Sequence, residues 1–211
     1  MDNYIITIAR GLGSGGSHVG KRLSEMLGIP CYDSEILEKA SELSGINESY
    51  FLEANEKINK GKIRIRSSSG VYTGRLYNVN DAKYLSDENL FNYQAEVIKS
   101  LALGGKQSCI IIGKAANKII GSLKNVVTVN IQAPLDVCVG NVVNRLQINT
   151  VEAKEKIMVT NKYRASYYRY YTGGIWSDPT EYDLTINPGA VGEEYAAQMV
   201  VDYLKYRELI K

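Results

Sequence analysis

The chain has 211 residues, 45% of them hydrophobic and 23% charged, ordinary globular proportions that exclude disordered and fibrous classes. Twenty-five Lys plus Arg stand against 23 Asp plus Glu, a formal net charge of +2. No surface of that balance coats a polyanion, so a nucleic-acid partner is not expected and any basic site must be a local cluster. The length admits one substantial core, hence one domain over residues 1–211. The three cysteines, Cys31, Cys109 and Cys138, are far apart and in no CxxC spacing. They read as buried apolar residues of a reducing compartment. Only six apolar-leaning residues precede Arg10, too few for a secretory leader, and no run of about 20 apolar residues follows. The expectation is a cytoplasmic protein with no membrane partner. One oddity is the use of 16 Tyr against two Phe and one Trp.

In chain order, the first apolar run, 4–9 (YIITIA), is rich in Ile and does not alternate, which predicts a strand covered on both faces. A glycine-rich turn follows, and from Ser17 the apolar residues Val19, Leu23, Met26 and Leu27 recur on one helical face until Gly28 and Pro30 stop them. From 57 to 80 the pattern breaks: Lys57, Lys60, Lys62, Arg64, Arg66 and Arg75 surround a Ser-Ser-Ser-Gly turn. That stretch reads either as a solvated excursion or as a basic flap over an anionic substrate. A second helical stripe, Leu90, Tyr93, Val97, Leu101 and Ala102, runs from Ser86 to Gly104. Strands are predicted at 109–112, 125–131 and 182–187, and a last helix carries Ala196, Met199, Val200, Tyr203 and Leu204. Strand and helix alternate, so the fold class is α/β.

The turn after the first strand reads Gly11-Leu-Gly13-Ser14-Gly15-Gly16-Ser17-His18. Glycines at this density let backbone N–H groups converge on a phosphate, and the following helix start adds unpaired amides and a positive dipole end. Gly11, Gly13, Ser14, Gly15, Gly16, Ser17 and His18 are therefore the candidate nucleotide-binding residues. Two motifs fit. Gly11-x-Gly13-x-x-Gly16, with Asp33 downstream, satisfies the dinucleotide fingerprint of an oxidoreductase. Gly11 to Gly16 also satisfies the GxxxxG of a phosphate-binding P-loop, but Ser17-His18 stands where Lys-Ser/Thr is required. Lys21, one turn on, and Arg10, just before the loop, are the cations at hand. The only histidine, His18, is expected to cap or flank the helix start.

Longer stations carry a resemblance. Residues 6–16 (ITIARGLGSGG), Gly20-Lys-Arg-Leu23, 27–33 (LGIPCYD), 111–116 (IIGKAA), Ala133-Pro-Leu135, 167–173 (YYRYYTG), Trp176-Ser-Asp-Pro179 and 182–187 (YDLTIN) resemble the cytidylate kinase-like family. The resemblance implies a three-layer α/β/α fold with a five-stranded parallel sheet, of the P-loop nucleoside-monophosphate kinase type. It implies ATP and Mg²⁺ as cofactors and transfer of the γ-phosphoryl group to CMP, dCMP or another small phosphate acceptor. It also implies a lid near 145–172 and an acceptor site at Asp33-Ser34. Lys114 stands where the family has Arg, keeping the charge and losing the fork. Arg64, Arg66 and Arg75 are candidates for the acceptor phosphate.

The lid departs from the family pattern. Cys138 and Asn141 occupy positions where arginines are usual, and Asn161 stands where Asp is common. Lys21, Arg145, Lys162 and Arg164 remain as the candidate catalytic cations; no metal ligand is assigned. A transition-state arginine is worth roughly 10³–10⁵ in rate, so these losses predict nucleotide binding with slow transfer. The readings are then a phosphotransferase with a degenerate P-loop, a nucleotide- or phosphate-binding protein of the same fold with little or no kinase activity, and, less favoured, a dinucleotide-binding oxidoreductase. Tyr163, Tyr167, Tyr170 and Tyr171 share a helical side and read as core packing with hydroxyls reaching the surface, or as a base-stacking platform. Trp176 with Asp178-Pro179 reads as a structural turn.

Overall fold

The first strand, β1 (Ile5–Arg10), lies at the centre of a five-stranded sheet. The computed structural model describes residues 3–59, 74–104 and 107–211, without the side chains of 55–59. The other strands are β2 (Cys31–Tyr32), β3 (Cys109–Ile112), β4 (Val126–Ile131) and β5 (Leu184–Ile186), in the order β2-β3-β1-β4-β5 with every pairing parallel. Helices are α1 (Gly16–Leu27), α2 (Glu35–Ser44), α3 (Glu48–Asn59), α4 (Asp87–Leu103), α5 (Ala116–Ile120), α6 (Leu135–Leu146), α7 (Thr150–Thr172), α8 (Pro188–Val191) and α9 (Glu193–Tyr206). On one face Ile5, Ile111 and Val126 pack against α2 to α5; on the other Ile6, Ile8, Val127 and Val129 pack against α1 and α9. Burial on both faces is why the strand sequences lack alternation. The chain is a three-layer α/β/α protein, as the sequence predicts.

Two strands differ from expectation. Cys31–Tyr32 is only two residues long, too short to show a period, and pairs with Ile110 and Ile111. The last strand starts at Leu184 because Asp183 turns its carboxylate onto the Thr128 amide (2.7 Å) and hydroxyl (2.9 Å). Helix stops follow the glycines: Gly28 closes α1 in the left-handed region at φ 64°, and Ser86 caps α4 by accepting from the Asn89 amide. On α7, Asn149 and Glu152 form a reciprocal capping box.

Of the predicted stripe, Tyr167 and Tyr171 are core while Tyr163 and Tyr170 are half-buried, and one correction concerns the hydroxyls. Tyr167, Tyr168 and Tyr171 are buried, and Phe91 of α4 stacks on Tyr171 at 4.0 Å. The Tyr168 and Tyr171 hydroxyls do not reach the surface, because α4 and the turn 179–181 close over them: Tyr171 donates to the Asp87 carbonyl and Tyr168 to the Glu181 carboxylate. The described end of the basic excursion is held to α4, with the Asn89 carboxamide on both backbone groups of Tyr77 and Asn92 on the Arg75 carbonyl. Arg64 and Arg66 lie outside the described residues. Among the described residues no helix is long and apolar enough to cross a membrane.

Candidate functional site

The glycine loop leaves β1 still tied to the sheet, its Gly11 amide donating to the Ile131 carbonyl at 3.1 Å. Buried Ser14 folds the loop back on itself, its hydroxyl and amide both donating to the Gly11 carbonyl. Gly13 (φ 80°) and Gly15 (φ 86°) take left-handed conformations. A Cβ on Gly13 would lie 2.5 Å from the Cys138 carbonyl oxygen, and one on Gly16 would fall inside the Arg10 side chain. Gly15 is the N-cap of α1 and offers no side-chain cap, so the first amides of the helix are open to an anion. His18 does not cap; its Nδ1 lies 3.1 Å from the Glu193 carboxylate at the start of α9.

The loop is clamped by the α6–α7 hairpin. Leu12 inserts against Cys138, Val142, Ala153 and Ile157. Its amide donates to Asn161 Oδ1 (2.9 Å), Asn141 Nδ2 donates to the Gly13 carbonyl (2.8 Å), and Arg164 donates to the Arg10 carbonyl (2.7 Å). Cys138, Asn141 and Asn161, the three uncharged replacements, thus all meet the loop itself. Asn161→Ala should lower stability by about 1–2 kcal/mol, read by denaturant unfolding. Asn161→Asp keeps the acceptor for the Leu12 amide and should stay near wild type.

Two clefts open at the carboxyl ends of the strands. The first, about 350 Å³, is lined by the loop, Asn141, Arg145 and Glu193. The second, about 330 Å³, is lined by Thr7, Lys114, Asn117, Tyr163, Tyr167 and Trp176 among others. Arg10 and Arg164 line both. β1 leads to β2 on one side and β3 to β4 on the other, so the β1–β3 junction is the switch point where α/β sheets bind ligands. Arg10 crosses it. One guanidinium nitrogen bonds both Asp33 oxygens (2.9 and 3.2 Å), another lies where a Gly113 side chain would be, and buried Nε has no partner among the described residues.

Arg10, Lys114 and Arg164 crowd around the single carboxylate of Asp33. Burial first, then the Arg10 charge, lowers the Lys114 ammonium to about 8, Asp33 opposing; burial and Arg10 also lower Arg164 to about 10. Gly113, Lys114 and Ala115 are consecutive left-handed residues (φ 76°, 54° and 55°), strain typical of a ligand clamp. Because Lys114 titrates lower in the folded chain, the unfolded chain binds more protons above about pH 8, and the ligand-free protein gains stability as pH rises through that range. Inorganic phosphate affinity should fall over the same rise. Thermal unfolding and phosphate titration from about pH 7 to about pH 10, against Lys114→Met, check both signs; the variant should lack both trends.

The loop residues 11–18, apart from buried Ser14, line the first cleft with exposed Arg145. Lys114 lines the second, and Arg164 both. Asp33 serves as the partner of Arg10, and Ser34 is the exposed N-cap of α2 with no side-chain cap bond. Lys21 and Lys162 are exposed on α1 and α7 and line neither cleft. Thr7 and Glu193 carry no sequence signal for a site, Tyr163 belongs to the stripe read as core or as a base-stacking platform, and Trp176 reads only as a turn. Glu193 carries no local signal at all; it reaches the loop because α9 packs beside α1.

A glycine cradle at the start of α1, beside a second cleft across the switch point of a parallel sheet, defines the P-loop kinase fold. Residues 5–190 match the cytidylate kinase-like family, and the chain belongs to it. It is similar to an uncharacterized protein from Eubacterium ventriosum ATCC 27560 at 24% identity and TM-score 0.71, covering 96% of this chain and 99% of that one. It shares its fold with shikimate kinase from Bacteroides thetaiotaomicron (13% identity, TM-score 0.53, 96% and 98% covered). Shikimate kinase from Acinetobacter baumannii, in complex with shikimate, is similar at 14% identity and TM-score 0.50, with 99% and 96% covered. No curated protein matches the chain.

Proposed function

We propose that the protein is a nucleotide-dependent phosphotransferase, with ATP phosphates on the glycine loop and the acceptor in the second cleft. The observation behind this reading is the wall that the clefts share: Arg10 and Arg164 face both. Phosphoryl transfer is driven by positioning and by positive charge around the moving group, and this wall brings positive charge to the junction. Arg10 takes the part that loop position 17 lacks, and Lys114 holds the acceptor's anion. Lys21 and Lys162 have no part in this reading, because they line neither cleft.

The acceptor oxygen is already anionic. A hydroxyl nucleophile needs a base to take its proton, and no carboxylate or histidine lines the second cleft among the described residues. A monophosphate oxygen needs none. This fits a nucleoside monophosphate, CMP or dCMP by the family, better than an alcohol acceptor. Mg²⁺ takes oxygen ligands from one or two side chains plus substrate phosphates. The Ser17 hydroxyl and the Glu193 carboxylate, both on the first cleft, fit that need and would hold it. When bound, the ion would neutralise charge developing on the phosphates. The test is transfer from ATP to CMP or dCMP by the wild-type protein, alongside the shift in thermal stability each ligand produces. ATP stabilisation with no transfer to any monophosphate would favour a nucleotide-binding protein without kinase activity, the reading that Ser17 in place of Lys supports.

A further inference from the structure

Two side chains at the floor of the second cleft have no role in phosphate handling. Thr7 (1% exposed) and Tyr167 (8% exposed) both line the cleft, and neither hydroxyl oxygen has a hydrogen-bond partner among the described residues. A buried hydroxyl without a partner costs about 1–3 kcal/mol of desolvation, so native chains rarely leave one. Other hydroxyls around the pair are partnered. Tyr168 donates to Glu181, Tyr171 to the Asp87 carbonyl and Tyr182 to the Trp176 carbonyl. Thr128, beside Thr7 on β4, donates its hydroxyl to Asp183. Tyr167 cannot swing toward a partner, because its ring is wedged between Phe91 (5.9 Å) and Tyr171 (4.8 Å). Thr7 sits in the middle of β1, where Val or Ile would serve the sheet equally.

We propose that Thr7 and Tyr167 form a recognition site for an uncharged hydrogen-bonding edge of the acceptor, at the end of the cleft away from the transferred group. Each hydroxyl both donates and accepts, so the pair suits a group that offers a donor beside an acceptor, as the edge of a nucleobase does. Burial holds the Tyr167 phenol well above its usual range, so it stays protonated and can donate. Thr7 lies three residues before Arg10 on β1, roughly 10 Å along the strand. A ligand must therefore be two-ended, with its anion at Arg10, Lys114 and Arg164 and its polar edge at the floor. Inorganic phosphate cannot span that length. A nucleoside monophosphate can, with its base against Tyr163 and Trp176, which line the same cleft. The inference rests on the anionic-acceptor reading given above.

The test uses the full chain and three probes, inorganic phosphate, CMP and AMP, titrated by calorimetry into wild type, Thr7→Val, Tyr167→Phe and the double variant. Thermal unfolding without ligand is measured on all four. Phosphate should bind all four alike, and wild type should bind at least one monophosphate at least tenfold tighter than phosphate. Each substitution should remove about tenfold of that advantage, while unliganded stability stays equal or rises because an unpartnered group is gone. Loss of stability in the variants, or an unchanged ratio of monophosphate to phosphate affinity, would mean that the hydroxyls serve the core or a buried water, and would overturn the inference. Wild type binding phosphate but favouring no monophosphate would overturn it while leaving the anion site standing. Failure to bind even phosphate would instead overturn the anionic-acceptor reading itself.

Discussion

Replacing Arg10 by Gln should lower the rate of transfer from ATP to CMP by roughly 10³-fold or more, with ATP affinity reduced no more than about tenfold. The asymmetry follows from where the guanidinium sits. In the proposed reading the ATP phosphates would meet mainly backbone amides of the loop and of α1, which Arg10 does not supply. Its side chain instead faces the junction of the clefts, fixed there by Asp33. A cation at that point strengthens its hold as charge builds on the group in flight, so it acts on the transition state more than on either bound ligand. Arg10→Lys separates charge from geometry: it keeps the positive charge and loses the planar guanidinium that reaches Asp33 with one nitrogen and Gly113 with another, and should recover part of the rate. Steady-state kinetics with both substrates varied, beside ATP calorimetry, provide the measurement. A fall in ATP affinity that matched the fall in rate would place Arg10 in the cradle instead of at the transfer point.

Arg10 also marks how far the sequence can be read. Its place just before the loop makes it a candidate cation, but Lys21, three residues beyond the loop, is also near along the chain. What separates them is direction: the last residue of β1 turns toward β3, whereas Lys21 falls on the exposed side of α1. The sheet and the glycine turn are legible because each is written in contiguous residues. Continuous Ile and Val runs give the buried strands, and Gly13 and Gly15 stand where left-handed backbone is needed. The second cleft is not legible, because its lining comes from β1, the turn after β3, and α7, with Trp176 from beyond that helix. No spacing connects Thr7 to Tyr167. The lid asparagines show a third case. As lost charges, Asn141 and Asn161 suggest only a weakened lid, yet their short carboxamides reach loop backbone. The absence of charge was visible in the sequence, and the new partner was not.

Gly13→Ala should cost at least about 10²-fold in ATP affinity, because two separate effects act on one atom. A left-handed backbone strains any residue with a Cβ by about 1–3 kcal/mol, and at Gly13 that Cβ would also lie 2.5 Å from the Cys138 carbonyl oxygen and 3.0 Å from Val142. Neither neighbour can yield cheaply, since one is helix backbone and the other is fully buried. The loop must therefore shift, and its amides lose their common focus. Gly28→Ala supplies the control: φ is 64° there, yet no atom of the described residues lies within 4 Å of the added carbon. It should show the strain as lower stability while leaving ATP affinity unchanged. Gly15→Ala falls between the two, because the obstacle at 2.7 Å is the Glu193 carboxylate, the movable end of a side chain. Calorimetric ATP affinity and denaturant unfolding of the three variants give the order expected, with Gly13 losing most binding, Gly15 less and Gly28 none. Equal loss at Gly13 and Gly28 would mean that backbone strain, and not the shape of the cradle, governs nucleotide binding.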